Sequence, residues 1–146
     1  MFPVQLDDFE TPEVLTYSLE STIAEKFESA IEKLELNSRM KDFYDIYYLA
    51  HMYGFDGRVL QEAVCGTFEK RGTPYNRDSF ARVIGMSSNI EMNRRWKNFL
   101  KQLKQNEPGF EDVLAVINSF LEPIWTAMIE EDEFFGEWDN MELVWK

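Results

Sequence analysis

The chain has 146 residues, of which 45% are hydrophobic and 15% aromatic, and its formal net charge is −12. This composition excludes a disordered chain and is typical of one domain with a single core. One cysteine and one histidine exclude an internal disulfide and a four-ligand zinc site. Apolar stretches far shorter than the roughly 20 residues of a membrane span, and no signal-peptide pattern, predict a soluble cytoplasmic protein with no membrane partner.

Charge is unevenly distributed along the chain. Residues 70–104 contain nine basic and two acidic residues, whereas residues 130–146 contain seven acidic residues and one lysine. A basic segment and acidic ends can attract two kinds of partner, or they can pair with each other on a solvated surface. The sequence leaves both interpretations open.

Hydrophobic periodicity predicts a mostly α-helical fold, namely a bundle of five to six helices with a short N-terminal strand and an acidic, aromatic C-terminal tail. Residues 1–17 contain two prolines and a weak extended pattern, which predict an extended lead-in with a strand at 13–17. Such a strand needs a partner strand for its backbone groups. The first helix is expected to start after Ser18 as N-cap. Its buried stripe comprises Leu19, Ile23, Phe27, Ala30, Ile31 and Leu34.

The next two helices are marked by stop and start signals. One is expected from Met40 to Tyr53 with Gly54 as its stop, and the other from Asp56 as N-cap to Gly72. Apolar residues repeat at three- and four-residue steps in both, so each has one inward face. These faces comprise Phe43, Ile46, Tyr47, Ala50 and Tyr53 in one helix, and Val59, Leu60, Ala63, Val64, Thr67 and Phe68 in the other.

The C-terminal half contains two more predicted helices after a short one that ends near residue 84. A capping box of Ser88 and Glu91 starts the first, in which Met92, Trp96, Phe99, Leu100 and Leu103 form the buried stripe. The last helix is expected over residues 110–131, with a kink or a new start at Pro123. Residues 130–146 are too rich in Phe and Trp for a solvated tail and are expected to dock on the bundle.

The chain lacks the sequence motifs of several enzyme classes. The chain has no glycine-rich phosphate loop, no serine-hydrolase elbow and no zinc-protease motif. His51 lies beside aromatic residues, and Cys65 lies within an apolar helical stripe, so both are interpreted as structural.

Two charged groups on neighbouring helices remain as candidate functional residues. Lys26 lies at the edge of the first buried face, and Asp42 and Asp45 are neighbours on the next helix, beside Arg39 and Lys41. A lysine and one or two carboxylates across a cleft can bind a triphosphate with Mg²⁺. An ion pair between the two helices explains the same residues, so the pattern leaves both interpretations open.

These residues form two motifs. Glu20–Lys26 fits a helical E-x-x-x-AEK pattern, and Arg39–Ile46 fits an R-x-KDxxDL pattern in which isoleucine replaces leucine. With both motifs in this order, the chain resembles the C-terminal half of the AbiEii/AbiGii nucleotidyltransferase-like toxin family. Segments downstream resemble that family's helical continuation, namely residues 66–75, 94–103 and 120–125.

The resemblance implies a nucleotide site. Lys26 would contact the triphosphate, and Asp42 or Asp45 would act as a base or as a ligand of metal and nucleotide, with both aspartates matching the motif. Arg39 and Lys41 would add phosphate-side charge or hold the aspartates. The implied cofactors are Mg²⁺ and a nucleoside triphosphate. The implied role is nucleotide transfer to an acceptor such as RNA, in a toxin–antitoxin or phage-defence (abortive infection) system with an antitoxin protein as partner.

A basic helix face is the candidate site for the acceptor. It comprises Arg94, Lys97, Lys101 and Lys104, together with Arg71 and Arg77. Phosphates bound there would make the affinity fall steeply with salt. An ordinary solvated helix surface is the alternative interpretation.

The chain departs from the family pattern at its N-terminus. Intact members have an N-terminal nucleotidyltransferase domain, in which a Gly-Ser/Thr stretch precedes an Asp-x-Asp pair that binds metal. Here the LDDF at 6–9 lacks that glycine-rich turn. We therefore expect a single helical domain over 1–146 that lacks the N-terminal domain and contributes nucleotide-site residues but is inactive alone. The alternative is a non-enzymatic helical module that binds a protein partner.

Overall fold

The computed structural model describes residues 18–33 and 39–146. These residues form six α-helices, a 3₁₀ turn at Gly85–Ser88 and a small sheet of three strands. The helices are α1 (Leu19–Lys33), α2 (Met40–Met52), α3 (Gly57–Arg71), α4 (Arg77–Ile84), α5 (Ile90–Gln102) and α6 (Phe110–Ile129). The strands are β1 (Phe55–Asp56), β2 (Glu137–Asp139) and β3 (Val144–Trp145). The mostly α-helical fold is confirmed, whereas the predicted strand at 13–17 and Leu34 lie outside the described residues.

Local sequence sets the ends of α1 and α3 as predicted. The hydroxyl of Ser18 accepts a hydrogen bond of 3.0 Å from the backbone N–H three residues ahead. Asp56 accepts backbone hydrogen bonds of 2.9 and 3.2 Å from Arg58 and Val59, which caps α3. At the other end Gly72 adopts a φ of 67°, a left-handed conformation that glycine reaches without strain.

Four apolar residues that the sequence assigns to the core are exposed instead. They are Leu19, Tyr53, Val59 and Leu103, with exposed fractions between 37% and 46%. Each lies in the first turn of its helix or directly after the last residue. Periodicity extends the buried stripe into these terminal turns, whereas the neighbouring elements cover only the central turns.

The predicted capping box at the start of α5 is wrong. The N-cap is Asn89, whose side-chain oxygen accepts a hydrogen bond of 3.0 Å from the backbone N–H of Met92. Ser88 belongs to the 3₁₀ turn and donates its hydroxyl to a carbonyl within that turn. Glu91 pairs with Arg94 at 2.6 Å and does not reach back to the cap. The 3₁₀ turn leads directly into α5, so the helix begins one residue later than the motif indicates.

The central helix of the core is α6. Ten of its residues are buried, and it packs against α2, α3 and α4. The helix continues through Pro123, so no new helix starts there. Among the described residues it alone is long and apolar enough to cross a membrane by length and composition, but half of that window is buried inside the fold. A central core helix has the same properties.

Aromatic rings join the helices in the core. The Trp125 ring of α6 lies 5.5 Å from Phe27 of α1, 5.6 Å from Phe68 of α3 and 6.1 Å from Phe80 of α4. Such ring pairs add about 0.5–1.5 kcal/mol each beyond their buried area. Trp125 therefore fixes the relative positions of the helices around it.

The tail folds back onto the bundle, as predicted, and forms a C-terminal hairpin (residues 137–146). Strand β2 pairs antiparallel with both β1 and β3. The Trp138 indole is buried and donates a hydrogen bond of 2.7 Å to the carbonyl of Ala50. The Trp145 indole donates one of 2.9 Å to the carbonyl of Phe120. The hairpin therefore covers the end of α2 and one side of α6.

Candidate functional site

Four of the predicted site residues meet where α1 packs against α2. Lys26 Nζ lies 2.9 Å from Asp45 Oδ2 and 3.9 Å from Asp42 Oδ1. Lys41 Nζ lies 2.7 Å from the same Asp45 oxygen. Lys41 lies one turn before Asp45 on α2, and Lys26 comes from the facing helix. The Asp45 carboxylate therefore bridges two lysines, and we name these four residues the charge cluster.

Asp42 is the most buried residue of the charge cluster. Its side chain is 8% exposed, against 21% for Asp45, 25% for Lys26 and 70% for Lys41. Its Oδ2 atom is buried and has no hydrogen-bond partner in the described part of the chain. A buried oxygen of this kind costs about 1–3 kcal/mol. Its hydrogen-bonding capacity is therefore unused among the described residues.

A positively charged pocket of about 310 Å³ adjoins the charge cluster. It is lined by four basic and two acidic residues and one serine, and we name it the cationic pocket. The lining comprises Lys26, Lys33, Arg39, Arg71, Glu25, Asp42 and Ser29. Its volume lies at the lower end of small-molecule sites. Excess positive charge around a polar cavity favours an anionic ligand.

Arg39 lies directly before the first residue of α2, at the cationic pocket. It is the N-cap residue of that helix, but its side chain makes no capping hydrogen bond and lines the cationic pocket. Within the described residues it forms no ion pair with the charge cluster. The structure thus places Arg39 beside Lys26 and Asp42 as a source of positive charge.

The sequence grouped Arg71, at the end of α3, with the basic face and did not place it beside Lys26 and Asp42. Arg71 Nη1 donates to Glu28 Oε1 at 2.7 Å, and the hydroxyl of Thr73 donates to the other oxygen of that carboxylate. The Glu28 side chain is 4% exposed. Glu28 therefore holds the Arg71 guanidinium at the wall of the cationic pocket. A glutamate beside Phe27 on the buried face of a predicted helix was the signal that could have indicated this contact.

The basic face of α5 lies away from the cationic pocket. Arg94 pairs with Glu91, whereas Lys97, Lys101 and Lys104 are exposed and form no ion pair within the described ranges. Helix α5 packs mainly on α2 and the 3₁₀ turn, while the pocket residues come from α1, α3 and the start of α2. The structure does not bring these four basic residues to the charge cluster.

The two residues interpreted as structural lie outside the cationic pocket. His51 Nδ1 is 2.9 Å from the carbonyl oxygen of Tyr47, one turn earlier in α2. Cys65 is half-buried on α3 and packs against the core. Burial, followed by the charge of Glu69, raises the pKa of the Cys65 thiol. A raised pKa keeps the thiol protonated and unreactive.

The side chains near the charge cluster show how many ligands the protein can give to the expected Mg²⁺. Residues 18–33 and 39–146 contain no group of three or more His, Cys, Asp or Glu side chains that could hold a metal ion. The buried Oδ2 of Asp42 is one carboxylate oxygen without a partner among the described residues. Mg²⁺ that arrives with a nucleotide takes one or two protein carboxylates besides phosphate oxygens and water. The cationic pocket can therefore supply one protein ligand, from Asp42, to an ion that arrives with a nucleotide.

Comparison with known protein families gave a match to the N-terminal four-fifths of the chain. The family model described as nucleotidyl transferase AbiEii toxin, type IV TA system, matches residues 1–116. No curated protein and no solved structure matched. The matched residues contain the charge cluster, the whole cationic pocket and the basic face of α5. The C-terminal hairpin lies beyond them.

Proposed function

The chain belongs to the AbiEii family of nucleotidyl transferase toxins from type IV toxin–antitoxin systems, and we propose that its cationic pocket binds the triphosphate of a nucleotide that is transferred to an acceptor. The observation that carries this proposal is the convergence of Lys26 and Asp42 on one positively charged cavity. A toxin–antitoxin family also implies an antitoxin protein as partner.

Each residue has a role in this proposal. Lys26 and Arg39 neutralise phosphate charge, as cationic side chains do in other phosphoryl-transfer sites. Asp45 holds Lys26 and Lys41 in place through its two ion pairs. Asp42 is the functional acid, because its Oδ2 is not engaged by another described residue.

The transfer step follows from these roles. The acceptor hydroxyl gives its proton to the Asp42 carboxylate, and its oxygen bonds to the α-phosphorus of the nucleotide. The bond from that phosphorus to the β-phosphate oxygen breaks, and pyrophosphate leaves. Mg²⁺, when bound with the nucleotide, neutralises charge that develops on the phosphates. Asp42 would either accept this proton or hold such an ion, because only one of its oxygens is without a partner among the described residues.

We propose a division of labour for the whole enzyme. This chain, as one helical domain over residues 1–146, contributes the residues that hold the nucleotide. A nucleotidyltransferase domain with an acidic metal-binding pair contributes the rest, so the chain alone is inactive. Support comes from the lack of a glycine-rich turn before the acids at 6–9 and from the lack of a three-ligand metal group in the described ranges.

The acceptor and the setting belong to the same proposal. RNA is the acceptor, and Arg94, Lys97, Lys101 and Lys104 are the candidate contacts to its phosphates. The support is that Lys97, Lys101 and Lys104 are exposed without ion pairs among the described residues, which leaves their charge available. The system acts in phage defence in the cytoplasm.

Calorimetric titration with Mg²⁺ and each ribonucleoside triphosphate tests the nucleotide site. We expect Lys26→Ala to weaken binding by about tenfold or more, because one charge-assisted phosphate contact is lost. Arg82→Ala is the matched control, since it removes one positive charge from α4 outside the pocket. Asp42→Ala should weaken binding in Mg²⁺ with little change in the unfolding temperature, because the lost ion pair of 3.9 Å with Lys26 is offset by the removal of an unpaired buried oxygen.

The same titration can contradict the proposal that the cationic pocket binds a nucleotide. If no triphosphate binds to the wild-type chain, or if Lys26→Ala binds as the wild type does, the charge cluster is an ion-pair network between helices. The chain then acts as a non-enzymatic interaction module, with an antitoxin as the natural partner.

A further inference from the structure

A second polar pocket shares a wall with the cationic pocket. It has a volume of about 360 Å³ and lies between α1 and α3, and we name it the α1–α3 pocket. Glu25 and Arg71 line both pockets. Ser21, Thr67 and Lys70 line only the α1–α3 pocket. The two cavities are therefore adjacent on one side of α1.

Small residues on α3 keep this pocket open. Ala63 and Gly66 line it, and Gly66 lies in the middle of α3. Apart from the backbone of its own helix, no heavy atom would lie within 4 Å of a Cβ at position 66. Glycine in a helix interior is unfavourable relative to alanine. Packing does not require this glycine, and a long side chain at this position would extend into the pocket.

The polar groups of the α1–α3 pocket suit a sugar phosphate. Lys70 forms no ion pair with any described residue, and the side chain of Thr67 makes no hydrogen bond within residues 18–33 and 39–146. A lysine ammonium is a common phosphate ligand, and a threonine hydroxyl can bond a ribose hydroxyl. Glu25 and Glu62 add carboxylate acceptors for further hydroxyls.

We propose that the α1–α3 pocket binds the acceptor, namely the terminal ribose phosphate of a single-stranded RNA. Lys70 contacts the phosphate, Thr67 contacts a ribose hydroxyl, and Arg71 lies between the acceptor and the nucleotide. This inference rests on the proposed function, because a transferase needs two adjacent substrate sites. The α1–α3 pocket shares two residues with the nucleotide site, whereas the basic face of α5 shares none.

The test measures RNA affinity and nucleotide affinity separately in the full chain. Fluorescence anisotropy with a short single-stranded RNA, without nucleotide and over a range of salt, reports the acceptor site. The variants are Lys70→Ala, which removes the phosphate contact, and Gly66→Leu, which fills the pocket. Arg82→Ala is the charge-matched control, and Lys97→Ala with Lys101→Ala tests the α5 face. Circular dichroism checks that Gly66→Leu folds.

The expected result is a loss of RNA affinity of about tenfold in Lys70→Ala, with a salt slope smaller by about one. Gly66→Leu should lose RNA affinity as well, and both variants should bind Mg²⁺ and triphosphate as the wild type does. RNA binding that falls only in the α5 variant, that is unchanged in both pocket variants, or that is absent from the wild type overturns the inference. Failure of triphosphate binding instead overturns the proposed function.

Discussion

Two charged side chains are buried among the described residues, and they differ in one respect. Both oxygens of Glu28 accept hydrogen bonds, from Arg71 and from Thr73. Asp42 has one buried oxygen without a partner. Buried carboxylates that serve only the fold are normally satisfied, as Glu28 is. The contrast assigns Glu28 to the positioning of Arg71 and supports the proposal that Asp42 binds a ligand.

Replacing Glu28 should destabilise the chain more than replacing an exposed glutamate of the same helix. We expect Glu28→Ala to lower the free energy of unfolding by about 2 kcal/mol, because Arg71 and Thr73 lose a buried acceptor. Arg71 is 46% exposed and can be rehydrated, so the loss stays below that of a fully buried pair. Urea denaturation measures the difference, with Glu32→Ala on the exposed side of α1 as the control. Equal stability of Glu28→Ala and Glu32→Ala would contradict this role of Glu28.

Local signals explain which elements could be predicted from the sequence. Asp56 and Gly72 bound α3 because capping and a left-handed turn depend on residues within one turn. Asn89 was missed as the N-cap of α5 because the preceding 3₁₀ turn satisfies Ser88, which sequence spacing does not show. Pairing of β1 with β2 could not be predicted either, since β1 has two residues and its partner strand begins at Glu137.

The candidate site could also be predicted only in part from the sequence. Lys26, Asp42 and Asp45 were found because they belong to two motifs on helices that pack together. Arg71 was not placed there, because the contact that brings it to the pocket joins Glu28 to a residue 43 positions later. Contacts at such separation depend on how helices pack, and periodicity carries no information about them.

At the level of elements, the C-terminal hairpin should stabilise the end of α2. Trp138→Phe keeps most of the ring but removes the hydrogen bond of 2.7 Å to the carbonyl of Ala50. We expect a loss of about 1–3 kcal/mol in the free energy of unfolding, because a buried carbonyl loses its donor. Met141→Ala, at a side chain that is 85% exposed in the same hairpin, is the control and should be nearly neutral. Chemical denaturation compares the two variants, and equal losses would show that the hairpin does not anchor α2.

Across the whole molecule, the acidic and basic surfaces are only partly paired. Arg58 lies 3.3 Å from Glu133, and Arg77 lies 3.4 Å from Glu130, so two basic residues pair with the segment before the hairpin. Lys97 and Lys101 of α5, and Lys104 just after that helix, form no ion pair within the described ranges. Mutual compensation therefore accounts for part of the charge pattern, and the remainder leaves excess positive charge on the α5 face and around the cationic pocket.

This charge distribution also predicts how stability depends on pH. The backbone N–H of Glu142, then the ammonium of Lys146, lowers the pKa of Asp139 in the hairpin. A lowered pKa means that the folded chain favours the charged carboxylate. Its stabilising effect is therefore present above the ordinary carboxyl value of about 4 and is lost as pH falls below it. The hairpin should loosen in acid before the helices unfold.

Tryptophan fluorescence and far-UV circular dichroism, followed together during acid titration, separate these two events. Trp138 and Trp145 lie in the hairpin, whereas Trp96 and Trp125 lie in helices, so the fluorescence change that Trp138→Phe removes is the hairpin signal. Ellipticity reports the helices. At the alkaline end, burial raises the pKa of Tyr47 and of Cys65, so the stability that their protonated forms contribute is lost as pH rises above their ordinary values. Asp139→Asn should remove the early acid change in fluorescence and leave the alkaline loss unchanged. Coincident acid transitions of fluorescence and ellipticity in the wild type would contradict a separately titrating hairpin.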